Sequence, residues 1–213
     1  SIGLSSCYQG NNNYRVTLTV EADGQTYTGS EVQKMTCHKA MDVPGSMDVN
    51  RCDIRGEAVS VKVGSRGYLF VLLDGWNIDP RSGARVGMQM TNYVRDIFAS
   101  SGSDPFNSDS ELPESWYVDK AHLPVLAKFD DVNDLQSARI VDPENLSNSF
   151  GGTAKLVSLR ISRTNEEITK GNILRILPSL KWHEHGYFKG SGQTNINDFP
   201  TVLTIVSFIA YKM

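Results

Sequence analysis

The stretch YRVTLTV, which runs from Tyr14 to Val20, alternates apolar and polar side chains. A period of two residues is typical of a strand with one buried side and one side facing solvent. The Asp23-Gly24 pair that follows favours a two-residue hairpin turn, and residues 26–28 begin a return strand that continues through residues 32–37. The sequence therefore predicts an antiparallel hairpin at the start of the fold.

A second hairpin is predicted over residues 58–73. Residues 58–63 (AVSVKV) alternate again, residues 64–67 (GSRG) have the composition of a tight turn, and residues 68–73 (YLFVLL) are apolar without interruption. Strands that are apolar throughout are typical of sheets covered on both faces. We therefore expect this sheet to be packed under another layer.

The middle of the chain differs from these hairpins. Residues 88–99 (MQMTNYVRDIFA) have apolar side chains at helical spacing, which predicts a helix. Residues 100–114 (SSGSDPFNSDSELPE) are rich in serine and aspartate and predict a long polar loop. Loops of this length in compact domains are either mobile or functional.

Short elements are predicted in the second half of the chain. Residues 155–163 (KLVSLRISR) read as a strand, and so does the apolar run 202–211, which is too short to span a bilayer. Asp142 is placed to cap a short helix with Pro143 at its first position, and residues 173–180 form a short amphipathic element. The pattern predicts an α+β, β-rich fold class, with antiparallel hairpins forming a sheet or sandwich and one or two short helices.

Composition and charge narrow the possible partners. Of the 213 residues, 39% are hydrophobic and 18 are glycine, as in ordinary globular proteins. No linker-like stretch divides the chain, so we expect a polar tether over residues 1–13 and a single β-rich globular domain over residues 14–213. The formal net charge is 21 − 24 = −3, with the lysines and arginines scattered. Nucleic-acid binding needs clustered positive charge, so we expect no nucleic-acid partner.

The three cysteines bear on the compartment. Leu4-Ser5-Ser6-Cys7 resembles the signal of a bacterial lipoprotein, in which the cysteine is lipidated, although six residues precede Cys7 here. Cys37 and Cys52 would close a loop of about fifteen residues, and such a disulfide contributes about 3 kcal/mol on the chain-entropy model. Disulfides persist in oxidising compartments. We therefore expect an exported protein with a Cys37–Cys52 bridge, attached to the membrane only through lipid on Cys7. The alternative is a cytosolic protein with free thiols.

Several segments together resemble a family of small exported proteins of Gram-negative bacteria. Its members pair a YRxxLTVEV opening and a GEAV…LF hairpin with F-x-D-x-N-D and V-D-P-x-x-L segments. The matching segments here are residues 14–30 (YRVTLTVEADGQTYTGS), 56–73 (GEAVSVKVGSRGYLFVLL), 128–134 (KFDDVND) and 141–146 (VDPENL). The family is uncharacterised, and its members are often described as lipoproteins. The resemblance therefore implies a periplasmic or outer-membrane-anchored location and carries over no catalytic residue.

Two clusters contain side chains that bind metals. His183 and His185 would share one face of a strand and could hold a metal ion with a third ligand from His122 or a carboxylate. The alternative is a pair of exposed histidines in a solvated turn. Residues 130–134 (DDVND) offer the oxygen ligands that Ca²⁺ prefers, but a turn closed by aspartate and asparagine hydrogen bonds explains the same residues. We expect no bound cofactor.

Aromatic and acidic residues outside the predicted core favour a binding surface. Large aromatic side chains in loops are typical of protein-binding surfaces, although the same residues also cap the ends of cores. Carboxylates in the 100–114 loop would steer a basic partner. The predicted contact residues are Trp76, Asp104, Asp109, Glu111, Glu114, Trp116 and Tyr117.

The sequence contains no nucleophile elbow, phosphate loop or dinucleotide-binding motif. The favoured function is therefore a non-enzymatic envelope protein that binds another protein. Its most concrete form is a periplasmic immunity lipoprotein, which blocks a secreted toxin by covering its surface. The alternative is a secreted metal-dependent hydrolase that uses His183 and His185 with a distant carboxylate.

Overall fold

The structure, a computed structural model, describes residues 12–39, 50–78, 81–82, 85–107, 111–182 and 205–210. The predicted site residues Cys7, Asp109, His183 and His185 lie outside these ranges. The strands are β1 (Asn13–Ala22), β2 (Gln25–His38), β3 (Arg51–Arg55), β4 (Val59–Lys62), β5 (Tyr68–Val71), β6 (Gly75–Ile78), β7 (Arg85–Gln89), β8 (Ser115–Tyr117), β9 (Leu126–Phe129), β10 (Ala138–Ile140) and β11 (Lys155–Arg163). The α-helices are α1 (Met90–Ala99), α2 (Leu146–Phe150) and α3 (Asn172–Ile176).

Five strands form an antiparallel sheet in the order β3-β2-β1-β11-β8. β1 and β2 are the predicted first hairpin, and Asp23 and Gly24 turn it with φ angles of 51° and 75°. An Asp-Gly pair adopts this left-handed conformation readily. Buried residues alternate with half-buried ones along β1, so the sheet has an apolar inner face and a polar outer face.

A second antiparallel sheet has the order β10-β9-β5-β4. β4 and β5 are the predicted second hairpin. Leu69 and Val71 belong to the hydrophobic cluster between the two sheets, which we call the inner core. Phe70 and Leu72 belong to a cluster on the opposite face of this sheet, which we call the outer core. The structure thus confirms a β-rich α+β fold, in which two sheets form a sandwich and one sheet is covered on both faces.

Helices and the C-terminal segment close the sandwich. α1 contributes Tyr93 and Ile97 to the inner core, while Ile173 of α3 and Phe208 pack into the outer core. The sheets approach closely at Gly29 of β2, where a Cβ atom would lie 1.9 Å from the carbonyl oxygen of Ser60. Only glycine fits this contact without movement of the backbone.

The region around α1 differs from the prediction. The helix predicted from Met88 begins at Met90, because Arg85–Gln89 is instead a strand that pairs with β6. Trp76, predicted to lie in a loop, is part of β6. Pairing with β6 overrides the local helical spacing of these apolar residues.

Three predicted elements in the second half also differ. Asp142 and Pro143 form a turn, in which Asp142 Oδ1 accepts a hydrogen bond from the Glu144 N–H at 2.9 Å, and α2 begins only at Leu146. The described part of the predicted C-terminal strand is a 3₁₀ turn (Ile205–Ser207) followed by a single bridge from Ile209 to Glu57. The predicted element at residues 173–180 is split between α3 and a 3₁₀ turn, Pro178–Trp182.

The predicted disulfide joins Cys37 and Cys52, and their Cα atoms are 4.0 Å apart. This separation is slightly below the usual range of about 4.4–6.8 Å. The two cysteines are close because they face each other directly on β2 and β3. The bridge therefore fastens the edge strand β3 to the rest of its sheet.

Candidate functional site

Trp116, one of the predicted contact residues, belongs to the core. It is 8% exposed, and its ring packs edge-on against Tyr14 and at a tilt against Phe98. The indole N–H donates to the carbonyl oxygen of Ile97 at 3.1 Å and to Ser100 Oγ at 3.0 Å. Trp116 therefore caps the inner core, which was the alternative given for these aromatic residues in the sequence analysis. Its side chain is not exposed for contact with a partner.

Trp76 also lies apart from the other predicted contact residues. Its side chain is half-buried against the outer core, and its carbonyl oxygen accepts a hydrogen bond from Asn92 Nδ2 at 3.2 Å. Tyr117 lies on the polar outer face of the five-stranded sheet, on the other side of the sandwich. The structure therefore does not bring Trp76 and Tyr117 into one surface.

Tyr117 is exposed on the surface of the sheet. Its side chain follows Trp116 on β8 and points the opposite way, which leaves the residue 63% exposed. The guanidinium carbon of Arg160 lies 6.0 Å from the centre of its ring, which is the outer limit of a cation–π contact. Across the sheet, Tyr117 pairs with Arg160, Arg160 with Thr17, and Thr17 with Ser30. We call these four residues the Tyr117 row.

Three of the predicted acidic residues lie in the segment that leads from α1 to β8. Asp104, Glu111 and Glu114 are exposed, and within the described ranges none of them forms a salt bridge. Glu114 directly precedes β8, and its carbonyl oxygen accepts from the Arg163 N–H at 2.8 Å. These carboxylates are available to a basic partner, whereas the fourth predicted one, Asp109, lies outside the described residues.

The two predicted metal clusters are not seen as metal sites in the described residues. His183 and His185 lie outside the described residues, and His122 Nδ1 contacts the Asp119 carboxylate at 2.8 and 2.9 Å. Residues 130–134 form a turn in which Asp131 Oδ1 accepts from the Asn133 N–H at 2.9 Å. In the part of the chain that is described, no group of three or more histidine, cysteine, aspartate or glutamate side chains is arranged to hold a metal ion.

A buried network of polar side chains that the sequence did not predict connects α1, β2 and α3. Tyr93 donates its hydroxyl proton to Gln33 Oε1 at 2.7 Å, and Gln33 Nε2 donates to the carbonyl oxygen of Glu57 at 2.7 Å. The Glu57 carboxylate accepts from backbone N–H groups at the start of α3, and Asn172 in that helix donates to Glu31. The alternation along β2 could have indicated this network, because it places the polar side chains of Glu31 and Gln33 at inward-facing positions of the strand.

The comparisons with known proteins return no match: no family model, no curated protein and no solved structure is significantly similar to this chain. None of the helices in the described ranges has the length and apolar composition needed to cross a membrane.

Proposed function

We propose that this protein is a non-enzymatic binding protein that recognises another protein through the Tyr117 row, with the loop carboxylates Asp104, Glu111 and Glu114 steering the approach of the partner. The observation that carries the proposal is Tyr117 itself, a large side chain that is 63% exposed on a rigid sheet and lies beside Arg160. Tyrosine and arginine are enriched among the residues that dominate binding energy at interfaces. Serine and threonine around them supply adaptable hydrogen bonds.

The charge of the loop indicates the chemistry of the partner. Asp104, Glu111 and Glu114 would attract a basic surface and raise the association rate, while Tyr117 becomes buried on contact. The partner is therefore expected to present lysine or arginine side chains around a pocket for one aromatic ring.

The most concrete form of the proposal is an immunity-type lipoprotein that inhibits a secreted toxin in the periplasm or at the outer membrane. The Cys37–Cys52 disulfide supports an oxidising compartment. The lipoprotein-like signal at Cys7 and the resemblance to exported proteins of Gram-negative bacteria support the same location. An inhibitor of this kind acts by covering the toxin and needs no catalytic residue.

The test is made with the product of a toxin gene encoded directly beside the gene for this protein. Both proteins are produced in the same cells, and growth is measured. We expect the wild-type chain to protect the cells and Tyr117→Ala to lose most of the protection, because truncating a central aromatic residue weakens binding about thirtyfold. Arg139→Ala, which removes an exposed arginine from the other sheet, is the matched control. Full protection by Tyr117→Ala would contradict the proposed surface.

Binding kinetics of the purified pair examine the loop. Replacing Asp104, Glu111 and Glu114 by Asn or Gln should slow association and weaken its dependence on salt, because these groups act at long range. Trp116→Ala is unsuitable as a surface probe because it removes a core residue. A genome with no toxin gene beside this one argues against the immunity form.

A further inference from the structure

A cleft of about 540 Å³ opens at the edge of the sandwich between β2, β5 and α3. Its lining combines the polar residues Glu31, Ser60, Asn172 and Arg175 with Tyr68, Val132 and Ile176. Small-molecule sites commonly have volumes of about 300–1,000 Å³ and combine apolar walls with a few polar groups. The cleft has this size and composition.

Glu31 contributes a buried carboxylate to this cleft. The residue is 3% exposed, and its oxygens accept from Asn172 Nδ2 at 2.9 and 3.1 Å. Within the described ranges, no lysine, arginine or histidine forms a salt bridge with it. Burial raises the pKa of Glu31 above its ordinary value, although hydrogen bonds from Asn172 and Thr169 and the more distant charge of Arg15 act in the opposite direction. Buried charges ordinarily have a partner of opposite sign, so this position is suited to a positive group from a ligand.

Arg175 provides the opposite charge at the mouth of the cleft. Arg175 is exposed, and its guanidinium donates a hydrogen bond to Asn172 Oδ1. The Nδ2 group of Asn172 in turn donates to the Glu31 carboxylate. A single amide group, that of Asn172, therefore separates the cation from the anion. A guanidinium has five N–H donors, so the bond to Asn172 leaves donors for a ligand.

We propose that this cleft binds a small zwitterion of the α-amino-acid class, with its ammonium group at Glu31 and its carboxylate at Arg175. An apolar side chain of the ligand would pack against Tyr68 and Ile176. The N–H groups at the start of α3 take no part, because the Glu57 carboxylate accepts from them. Glu31 follows Ser30 of the Tyr117 row on β2, but the two side chains lie on opposite faces of the sheet, so this inference does not rest on the proposed protein partner.

Calorimetry with the purified chain tests the proposal. The probes are leucine and phenylalanine, together with two analogues of leucine that each keep one charge, 3-methylbutylamine and 4-methylpentanoate. We expect one or both amino acids to bind, and each analogue of leucine to bind at least about tenfold more weakly than leucine. Glu31→Gln and Arg175→Gln should each weaken amino-acid binding by at least about tenfold. Lys120→Gln, a change at an exposed residue on another part of the surface, should leave binding unchanged.

Three results would overturn the proposal: no binding of either amino acid up to about 10 mM, equal binding of a single-charge analogue, or unchanged affinity in both cleft variants. Far-UV circular dichroism and urea unfolding establish that each variant is folded. Because Arg175 is exposed, Arg175→Gln keeps the proposal testable even where Glu31→Gln fails to fold.

Discussion

Asp74 shows how one buried carboxylate affects stability. The residue is 7% exposed, and its side-chain partner among the described residues is the hydroxyl group of Ser207, while Oδ2 accepts no hydrogen bond. Burial raises the pKa of Asp74, because the charged form loses hydration that a single hydroxyl group does not replace. The charged form of this residue therefore opposes folding.

Asp74→Asn should make the stability of the protein less sensitive to pH. Because the folded-state pKa is raised, the favourable contribution of the protonated residue is fully present below the ordinary pKa of about 3.9 and is lost as the pH rises through the raised value. Over that interval, the free energy of unfolding of Asp74→Asn should therefore rise relative to that of the wild type, by on the order of 1 kcal/mol for each unit by which the pKa is raised. Urea unfolding from pH 4 to pH 8 measures this difference, with Glu111→Gln as the exposed control. A difference that stays constant with pH would refute the assignment.

At the scale of the element, α3 depends on a residue from a distant segment. Gly171 precedes the helix and provides no side chain to cap it. The completely buried Glu57 accepts from the backbone N–H groups of Gly171, Asn172 and Ile173 at 2.5, 2.9 and 3.1 Å. A five-residue helix has little stability of its own, so this carboxylate both caps α3 and holds it against β2.

Removing this cap should be among the most damaging single changes. Glu57→Ala leaves three N–H groups without their acceptor, and we expect a loss of about 3 kcal/mol or more in the free energy of unfolding. Glu57→Gln keeps one acceptor oxygen and should lose less. Urea unfolding gives the total, and hydrogen exchange at Ile173 locates the effect. The exposed Glu144→Ala is the control, and a loss below about 1 kcal/mol for Glu57→Ala would show that the cap is dispensable.

At the scale of the whole molecule, local sequence periodicity predicted those elements whose structure is set by residues close together in the chain. The two hairpins and the strand β11 follow from alternation and turn residues, and the structure contains all three. β8 was missed because its three residues are a strand only through pairing with β11. For the same reason the sequence did not separate Trp116 from Tyr117, although adjacent residues on a strand face opposite sides.

Long-range contacts explain why the candidate sites were only partly predicted. The sequence indicated Tyr117 and the acidic loop, because both lie within one continuous stretch of the chain. It did not indicate the cleft, because Glu31 and Arg175 come from distant segments that meet only in the fold. The cap of α3 likewise joins residues 114 positions apart.

The Cys37–Cys52 bridge allows a final prediction about the whole fold. Replacing both cysteines by serine should lower the free energy of unfolding by about 3 kcal/mol, because the closed loop of 15 residues no longer restricts the unfolded chain. The far-UV spectrum should remain unchanged, because β3 keeps its register of five pairs with β2. β3 lies at the edge of its sheet, so its amide protons should exchange faster than those of β1. Cys7→Ser, which retains the bridge, is the control. Equal urea midpoints for the bridged and unbridged chains would mean that the sheet alone fixes this edge, and the disulfide would then have no stabilising role.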